Sequence, residues 1–470
     1  MRYLYNIVRS VAMMVVAVAM MGCDDGRSHI LKVYNWGDYI DEDLLAEFEE
    51  WYYEQTGEEV EIIYQTFDIN EVMLAKIENG QADFDVVCPS EYIIERMMRN
   101  EMVLPILTPE FEAEMAERDI NYFGCISPYI KEQFSLLEAP EGVYPNDYAV
   151  GYMWGTTGIL YNKAYVTKEE AQSWALMFDQ RLQDKIFVKD AFRDVYSPML
   201  IYAKTLEARE NGTLGEDECL DIDTIHELMY DSSDESIALV ESYLKRMKEL
   251  VAGWEADFGK EMMTQEKAWI NLMWSGDAVW AIDEASEVDV ELGYEVPKEG
   301  SIVWFDGWVI PKYARNVRAA RYFIDYMCMP ENAIRNMDAT GYVSVVATEE
   351  VYDALEDLCY SEPEVCDLSY FFVGEDGEPL EGSEAVVADP VLFPDRSVIA
   401  RSGVMHDSGD RTDKMLEMWS RVKGDNLSAG MLIGIILFFS ALLVWGVWRK
   451  VDNYRKKMKL RKRRHHHAKK

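Results

Sequence analysis

A regular alternation of strand-like and helix-like segments begins near His29 and leaves few folds open to this chain. Strands are predicted at HILKVYNW, EVEIIYQTF and DFDVVCPS, with amphipathic helices at DEDLLAEFEEWYYEQTG and DINEVMLAKIENG between them. We expect Asp41 to cap the first helix and Gly57 to end it, and Asp68 with Glu71 has the capping-box spacing for the second. Strands separated by helices in this way predict an α/β fold with a parallel sheet.

Aromatic and acidic side chains stand at the ends of the predicted strands. In an α/β sheet, ligands bind beyond the carboxyl ends of the strands, close to the starts of helices. Trp36, Asp38 and Tyr39 follow the first strand, and Ser90 and Tyr92 follow the third. We therefore expect these two groups of residues to converge on one cleft.

Later segments repeat the pairing of an aromatic ring with a carboxylate. Trp274 and Asp277 stand at a strand end before a helix, Trp304 and Asp306 lie in the strand SIVWFDGWVIP, and DATGYVSVV carries Tyr342. An organic ammonium is bound well by a carboxylate together with ring faces. One such pair alone is usually a core ring beside a helix cap, so the prediction depends on the recurrence of the pair.

The amino terminus has the layout of an export signal. Residues 1–23 carry Arg2 and Arg9, then an apolar run that closes on a glycine and Cys23. This end resembles the lipobox of bacterial lipoproteins, in which Cys23 would be lipidated. An uncleaved anchor is the alternative, because Met20 fits that pattern less well than leucine does.

The carboxyl terminus is predicted to cross a membrane. Asn426–Trp448 contains no charged residue, and a helix of that length spans about 34 Å, enough for a bilayer core of about 30 Å. The basic tail 449–470 places this end in the cytoplasm by the positive-inside rule. We interpret its charge as a determinant of topology and lipid contact, not as a nucleic-acid site.

Charge and motifs exclude several classes of function. The formal net charge is −40 at pH 7, which repels nucleic acid and attracts cations. No GxSxG, HExxH, P-loop or GxGxxG motif follows a strand, and the histidines before the tail are scattered. We predict no catalytic residue, metal or cofactor.

Three further expectations concern the second half of the chain. The segment 349–395 holds 15 acids and no lysine or arginine, and we interpret it as a solvated surface insertion. The segment 407–413, DSGDRTD, lacks the offsets of a calcium loop and is interpreted as a solvated acidic turn. Cys359 and Cys366 are the one close cysteine pair and could form a local disulfide.

Six motifs together resemble a known family. YNWGDYI, DFDVVCPSEYIIERM, YMWGTTGILYN, WSGDA, PKEG followed by WFDGWVIP, and TGYVS occur in the order found in the spermidine/putrescine-binding proteins of bacterial polyamine ABC transporters. The resemblance covers nearly all of 31–424. It implies a two-lobed periplasmic-binding-protein fold of type II, no catalysis, and docking on a membrane permease. We assign 28–150 and 306–345 to lobe 1, and 151–305 and 346–424 to lobe 2.

The resemblance also implies a set of ligand-binding residues. These are Trp36, Asp38, Tyr39, Ser90, Tyr92, Asp194, Trp274, Asp277, Trp304, Asp306 and Tyr342. Asp306 matches the central amine-binding acid, and Asp194 in KDAFRDVY stands where the family has glutamate. Gly37 replaces a usual serine or threonine. Asp38 and Asp277 resemble the putrescine-preferring branch, without excluding spermidine.

The predicted function is that of a membrane-tethered component of an ABC importer. It would capture polyamines at the periplasmic face of the inner membrane and deliver them to the permease subunits. A transmembrane anchor would keep it beside the permease. The alternative is a polyamine sensor that signals through the transmembrane helix to a cytoplasmic partner, because a tail as short as 449–470 holds no output domain.

Overall fold

The structure, a computed structural model, describes residues 27–424 except 79, 81, 82, 257 and 375, together with 437, 438, 440, 445 and 449. The predicted signal 1–23 with its Cys23, most of the predicted transmembrane segment 426–448 and nearly all of the tail lie outside the described residues. Within the described residues, no helix is both long and apolar enough to cross a bilayer. The chain divides into one compact unit that ends at Met415 and a second that begins at Leu416.

The strands of the described residues are short except for two long central ones. They are β1 (Ile30–Trp36), β2 (Glu61–Phe67), β3 (Val86–Val87), β4 (Val103–Leu104), β5 (Ala149–Asn162), β6 (Ile186–Lys189), β7 (Val251–Glu255), β8 (Ile270–Trp274), β9 (Leu292–Glu295), β10 (Ser301–Pro311), β11 (Val343–Ser344), β12 (Glu364–Cys366), β13 (Val386–Ala388) and β14 (Ser402–Gly403).

Helices separate most of these strands. They are α1 (Asp43–Thr56), α2 (Asn70–Glu78), α3 (Glu91–Arg99), α4 (Pro109–Glu117), α5 (Pro128–Ser135), α6 (Pro145–Tyr148), α7 (Lys168–Ala171), α8 (Phe192–Glu210), α9 (Ile222–Tyr230), α10 (Asp234–Lys248), α11 (Gly259–Thr264), α12 (Ser275–Ser286), α13 (Val317–Tyr326), α14 (Pro330–Thr340), α15 (Glu349–Asp353), α16 (Arg396–Ile399) and α17 (Thr412–Gly424). Short 3₁₀ helices lie at Tyr122–Cys125, Trp174–Phe178, Gln180–Leu182, Ala354–Glu356, Ser383–Ala385 and Gly409–Arg411.

Two parallel groups of strands flank a pair of long antiparallel strands. The order is β2-β1-β3-β10-β5-β8-β6-β7, with β1 parallel to β2 and β3, and β6 parallel to β7 and β8. The strands β5 and β10 pair antiparallel and are buried along their whole length. The predicted α/β fold is confirmed, and its two lobes are joined through β5 and β10.

The first helix shows why the local predictions hold. Leu44, Phe48 and Tyr52 recur at helical spacing and form the buried face of α1. The predicted cap is displaced by one residue: Glu42 is the N-cap and its side chain forms no capping bond, while the carboxylate of Asp41 accepts the backbone N–H of Asp43. Gly57 ends the helix at a φ of 72°, a conformation that costs glycine little.

The interpretation of 349–395 as a surface insertion is wrong. Phe371, Phe372 and Phe393 are at most 1% exposed, and the ring of Phe371 lies 5.3 Å from that of Trp154. The buried carboxylate of Asp389 accepts backbone N–H groups in the same segment. The count of acids missed the aromatic residues between them, whose burial fixes the segment to the core.

Two smaller expectations in this half are also wrong. Asp407 of the supposed solvated turn has a side chain 1% exposed that forms an ion pair with Arg99, although Asp410 of the same turn is exposed. An arginine far away in sequence thus supplies the countercharge that local composition does not reveal. Cys359 and Cys366 are free thiols, each directed to a nearby backbone carbonyl.

Candidate functional site

The carboxyl ends of β1, β2 and β3 meet at one edge of the first lobe. Trp36 is paired in register with Phe67, the last residues of two neighbouring parallel strands. α2 then begins at Asn70, whose amide donates to the hydroxyls of Ser90 and Tyr92, both at 2.9 Å. The expected convergence of the first and third strand ends is present, and Asn70 holds the two hydroxyl-bearing residues together.

Asp306 is a buried carboxylate at this edge. It lies in β10 before a register shift, and it accepts the Tyr39 hydroxyl at 2.9 Å and the Ser90 hydroxyl at 2.6 Å. Burial raises the pKa of Asp306 to about 7, although these two hydrogen bonds favour the ionised form. Among the described residues no lysine or arginine forms an ion pair with this carboxylate, so its desolvated charge has no countercharge of its own.

The second group of parallel strands ends beside two buried acids. The last residues of β6, β7 and β8 are Lys189, Glu255 and Trp274. The helix α8 follows β6 after a short turn, and α12 follows β8 directly. Asp194 and Asp277 occupy the first turns of these helices, where the helix dipole favours a negative charge.

The two acids of this second edge differ in their partners. Asp194 accepts the indole N–H of Trp274 at 2.9 Å, and burial raises its pKa to about 6. Asp277 accepts the Lys189 ammonium at 2.5 Å and the Tyr342 hydroxyl at 2.8 Å. Burial alone would raise the pKa of Asp277, but the neighbouring ammonium groups outweigh it and the pKa is lowered.

A pair of tyrosine rings links the two edges. The ring centroids of Tyr39 and Tyr342 are 4.9 Å apart in a T-shaped contact. The Tyr39 hydroxyl donates to Asp306, and the Tyr342 hydroxyl donates to Asp277. Trp304 packs on Tyr342 at 5.6 Å. The structure therefore places two buried carboxylates at opposite ends of one aromatic contact.

Asp38 is a predicted site residue that the structure does not join to this cluster. It is exposed and lies at a φ of 49°, and its side chain forms no hydrogen bond or ion pair with another described residue. Its neighbour Trp36 packs against Phe67 at 4.5 Å. The strand-end position predicted an acid in the cleft, but the turn after β1 directs this one to solvent.

Several residues of the site were not predicted. Lys189 and Glu255 are fully buried at the second edge, Asn70 binds both hydroxyls of the first, and the Arg193 guanidinium lies 4.4 Å above the ring of Tyr92. Position at a strand end was a signal for Lys189 and Glu255. For Arg193 the only signal was its place in KDAFRDVY.

Gly276 sets how closely Tyr342 approaches α12. A Cβ at this position would lie 2.3 Å from the tyrosine ring. We expect Gly276→Ala to lower the free energy of unfolding by about 1–3 kcal/mol, because the ring must be displaced. Urea denaturation measures the change. In the matched variant Gly37→Ala the new methyl group meets only an Asp68 oxygen at 3.8 Å, so equal losses in the two variants would contradict the argument.

Comparison with known proteins shows the family of this chain. The model of the family of bacterial extracellular solute-binding proteins matches residues 43–357. The spermidine/putrescine-binding periplasmic protein of Escherichia coli strain K12 is 25% identical over 328 residues, which cover 70% of this chain and 80% of that protein. The putrescine-binding periplasmic protein PotF of the same organism is 25% identical over 345 residues, 71% of this chain and 81% of that protein.

A solved structure with the same fold is the spermidine/putrescine ABC transporter substrate-binding protein PotD from Streptococcus pneumoniae strain Canada MDR_19A. It has a TM-score of 0.56 and 25% identity, and the match covers 84% of this chain and 98% of that one. These relatives are solute-binding transport proteins, which confirms the prediction that the chain is not an enzyme. Since the family model matches well over half of its length, the chain belongs to the bacterial extracellular solute-binding proteins.

Proposed function

We propose that this protein captures a polyamine, putrescine or spermidine, and delivers it to the permease of an ABC importer. One observation carries the proposal: the buried carboxylate of Asp306 has hydroxyl donors only among the described residues and lies beside the Tyr39–Tyr342 ring contact. Carboxylates bind ammonium groups, and ring faces attract cations and pack on methylene groups. The names of the relatives support the same class of ligand.

The first ammonium of the ligand would bind Asp306. That carboxylate is desolvated and has only neutral donors, the hydroxyls of Tyr39 and Ser90, so an incoming cation supplies the countercharge that the protein lacks. Asp194 lies at the opposite edge, where the indole of Trp274 hydrogen-bonds to it, and it would add a second negative charge to the cleft.

The remaining predicted contacts form the walls of the proposed site. The full proposed set is Trp36, Asp38, Tyr39, Ser90, Tyr92, Asp194, Trp274, Asp277, Trp304, Asp306 and Tyr342. Asp38 stays in this set on the family resemblance alone, because it is exposed. Because Asp38 and Asp277 resemble the putrescine-preferring branch of the family, we propose that putrescine is favoured, without excluding spermidine.

The two lobes would close on the ligand, with 28–150 and 306–345 in one and 151–305 and 346–424 in the other. Support comes from β5 and β10, which run between the two parallel groups of strands. The Arg193 guanidinium on the ring of Tyr92 connects the same two edges. Pairing across the cleft of this kind would stabilise a closed state.

We also propose that the protein is held at the periplasmic face of the inner membrane. The charge-free segment 426–448 would span the bilayer and Cys23 would carry lipid. The sensor alternative uses the same lobes without import. Uptake of labelled putrescine by cells with and without the gene separates the two: unchanged uptake would favour the sensor.

Titration calorimetry of the full-length protein with putrescine and spermidine tests the proposed ligand class. We expect saturable binding of at least one of the two, at one site per chain. Absence of heat with both, confirmed by an unchanged unfolding temperature in their presence, would exclude the proposed function.

Binding should weaken as the pH is lowered. In the ligand-free protein Asp306 has a pKa of about 7, so below that pH its carboxyl is neutral and must lose its proton before it can bind an ammonium. Alkylammonium groups stay charged over this range. We expect the affinity for putrescine to fall roughly tenfold from pH 8 to pH 6.

The measurement is a calorimetric titration at each pH in buffers of different ionisation enthalpy. Proton release on binding near pH 6.5 is the expected signature. A constant affinity between pH 6 and pH 8, with no proton released, would show that Asp306 does not bind the cation.

A further inference from the structure

Lys189 brings an ammonium group into the proposed amine site. It is the last residue of β6, in register with Glu255 at the end of β7, and its side chain is 0% exposed. Its Nζ donates to Asp277 at 2.5 Å and to the carbonyl of Ala256 at 3.1 Å, and it lies 3.3 Å from a Glu255 oxygen. These three contacts use all the N–H groups of the ammonium.

The surroundings of this ammonium are those expected for a bound amine. The same nitrogen lies 4.4 Å from the ring centroid of Trp274, a cation–π distance. Burial alone would lower the pKa of Lys189, but Asp277 and Glu255 outweigh it and raise the pKa. Lys189 therefore stays charged, with a carboxylate and an indole face as its partners.

The charge of Asp277 already has a countercharge among the described residues, unlike that of Asp306. One oxygen accepts Lys189, the other accepts the hydroxyl of Tyr342, and Lys260 lies 4.0 Å away. A ligand ammonium at this end would meet two ammonium groups of the protein, and like charges in a buried site repel each other. Asp306 at the other end has hydroxyl donors only.

We propose that Lys189 determines specificity, because its ammonium group occupies one amine position of the site. The protein then binds amines that carry one ammonium group fewer than its carboxylates could otherwise hold. This inference rests on the proposed binding of amines. The ligand's end nearest Asp277 is then uncharged or is held weakly, and its essential ammonium is the one at Asp306.

The test compares amines of increasing charge: 1-aminobutane, putrescine and spermidine. Each is titrated into the full-length protein, into Lys189→Met, and into the double variant Lys189→Met with Glu255→Gln. The double variant removes one charge of each sign, so it leaves Asp277 free without stranding Glu255. Unfolding temperatures of all variants are measured in parallel.

We expect the ratio of putrescine affinity to 1-aminobutane affinity to rise by about tenfold or more in the variants, because a second ammonium can then bind Asp277. The matched control is Lys185→Met. Lys185 stands just before β6, and its ammonium lies at the opposite end of that strand on the carbonyls of Glu266 and Lys267. In Lys185→Met the ratio of putrescine affinity to 1-aminobutane affinity should not change.

An unchanged ratio in a folded double variant, with amines still bound, would overturn the role of Lys189 and leave the proposed function intact. That result would mean that Lys189 leaves Asp277 when the ligand arrives. Absence of binding of all three amines to the unmodified protein and to both variants would instead overturn the proposed function together with this inference.

Discussion

Replacing Asp306 with alanine should weaken putrescine binding by about 2–5 kcal/mol, the usual effect of removing one partner of a buried charge pair. The residue is 6% exposed, and its carboxylate accepts two hydroxyls, from Tyr39 and Ser90. Without it the ligand's ammonium would be desolvated without its carboxylate partner and would keep only the hydroxyls of Tyr39 and Ser90 at this end. Titration calorimetry on the folded variant measures the loss.

Two further variants make the result specific. Asp283→Ala removes an exposed carboxylate of α12, and its affinity should stay within a factor of about two, since exposed charges contribute little. Asp306→Asn keeps the shape of the side chain and should lose nearly as much affinity as the alanine variant. A change below tenfold for both Asp306 variants would refute its assignment as the amine-binding acid.

Phe372→Ala should lower the free energy of unfolding by about 3–5 kcal/mol, as expected for truncating a buried phenylalanine. The side chain is 0% exposed, and its ring packs against those of Phe371 and Tyr352, with centroid distances of 5.0 and 5.2 Å. This variant asks whether the acidic segment 349–395 belongs to the core. Urea denaturation followed by tryptophan fluorescence gives the value.

The control lies in the same segment. Val387 on β13 is 61% exposed, and Val387→Ala should change the free energy of unfolding by about 0.5 kcal/mol or less. A small effect for Phe372→Ala as well would mean that the segment unfolds without the core, as expected of a surface insertion.

Elements with a strong local pattern could be predicted from the sequence. The strand expected at SIVWFDGWVIP has the bounds of β10, Ser301–Pro311, and the first helix ends at the predicted Gly57. Both patterns are carried by residues adjacent along the chain, either a continuous apolar run or a 3.6-residue repeat closed by glycine.

Other features could not be predicted, because they depend on distant partners. Asp38 and Asp306 are both acids next to aromatic residues, yet the first is exposed and the second is buried. The acid count over 349–395 indicated solvent, whereas its phenylalanines are buried and Phe371 packs on the ring of Trp154, far away in sequence. Local composition does not report which side of an element is covered.

The α/β alternation, the strand ends that carry the proposed ligand-binding groups and the acid–aromatic chemistry of those groups could be predicted from the chain alone, because each is a property of neighbouring residues. Which of these groups meet depends on the fold. It joins Tyr39 to Asp306 across 267 positions and Lys189 to Asp277 across 88. Contacts between residues so far apart in sequence follow from the order of the strands and the packing of the lobes. Only these contacts reveal that the ammonium of Lys189 lies on Asp277, one of the acids predicted to bind an amine.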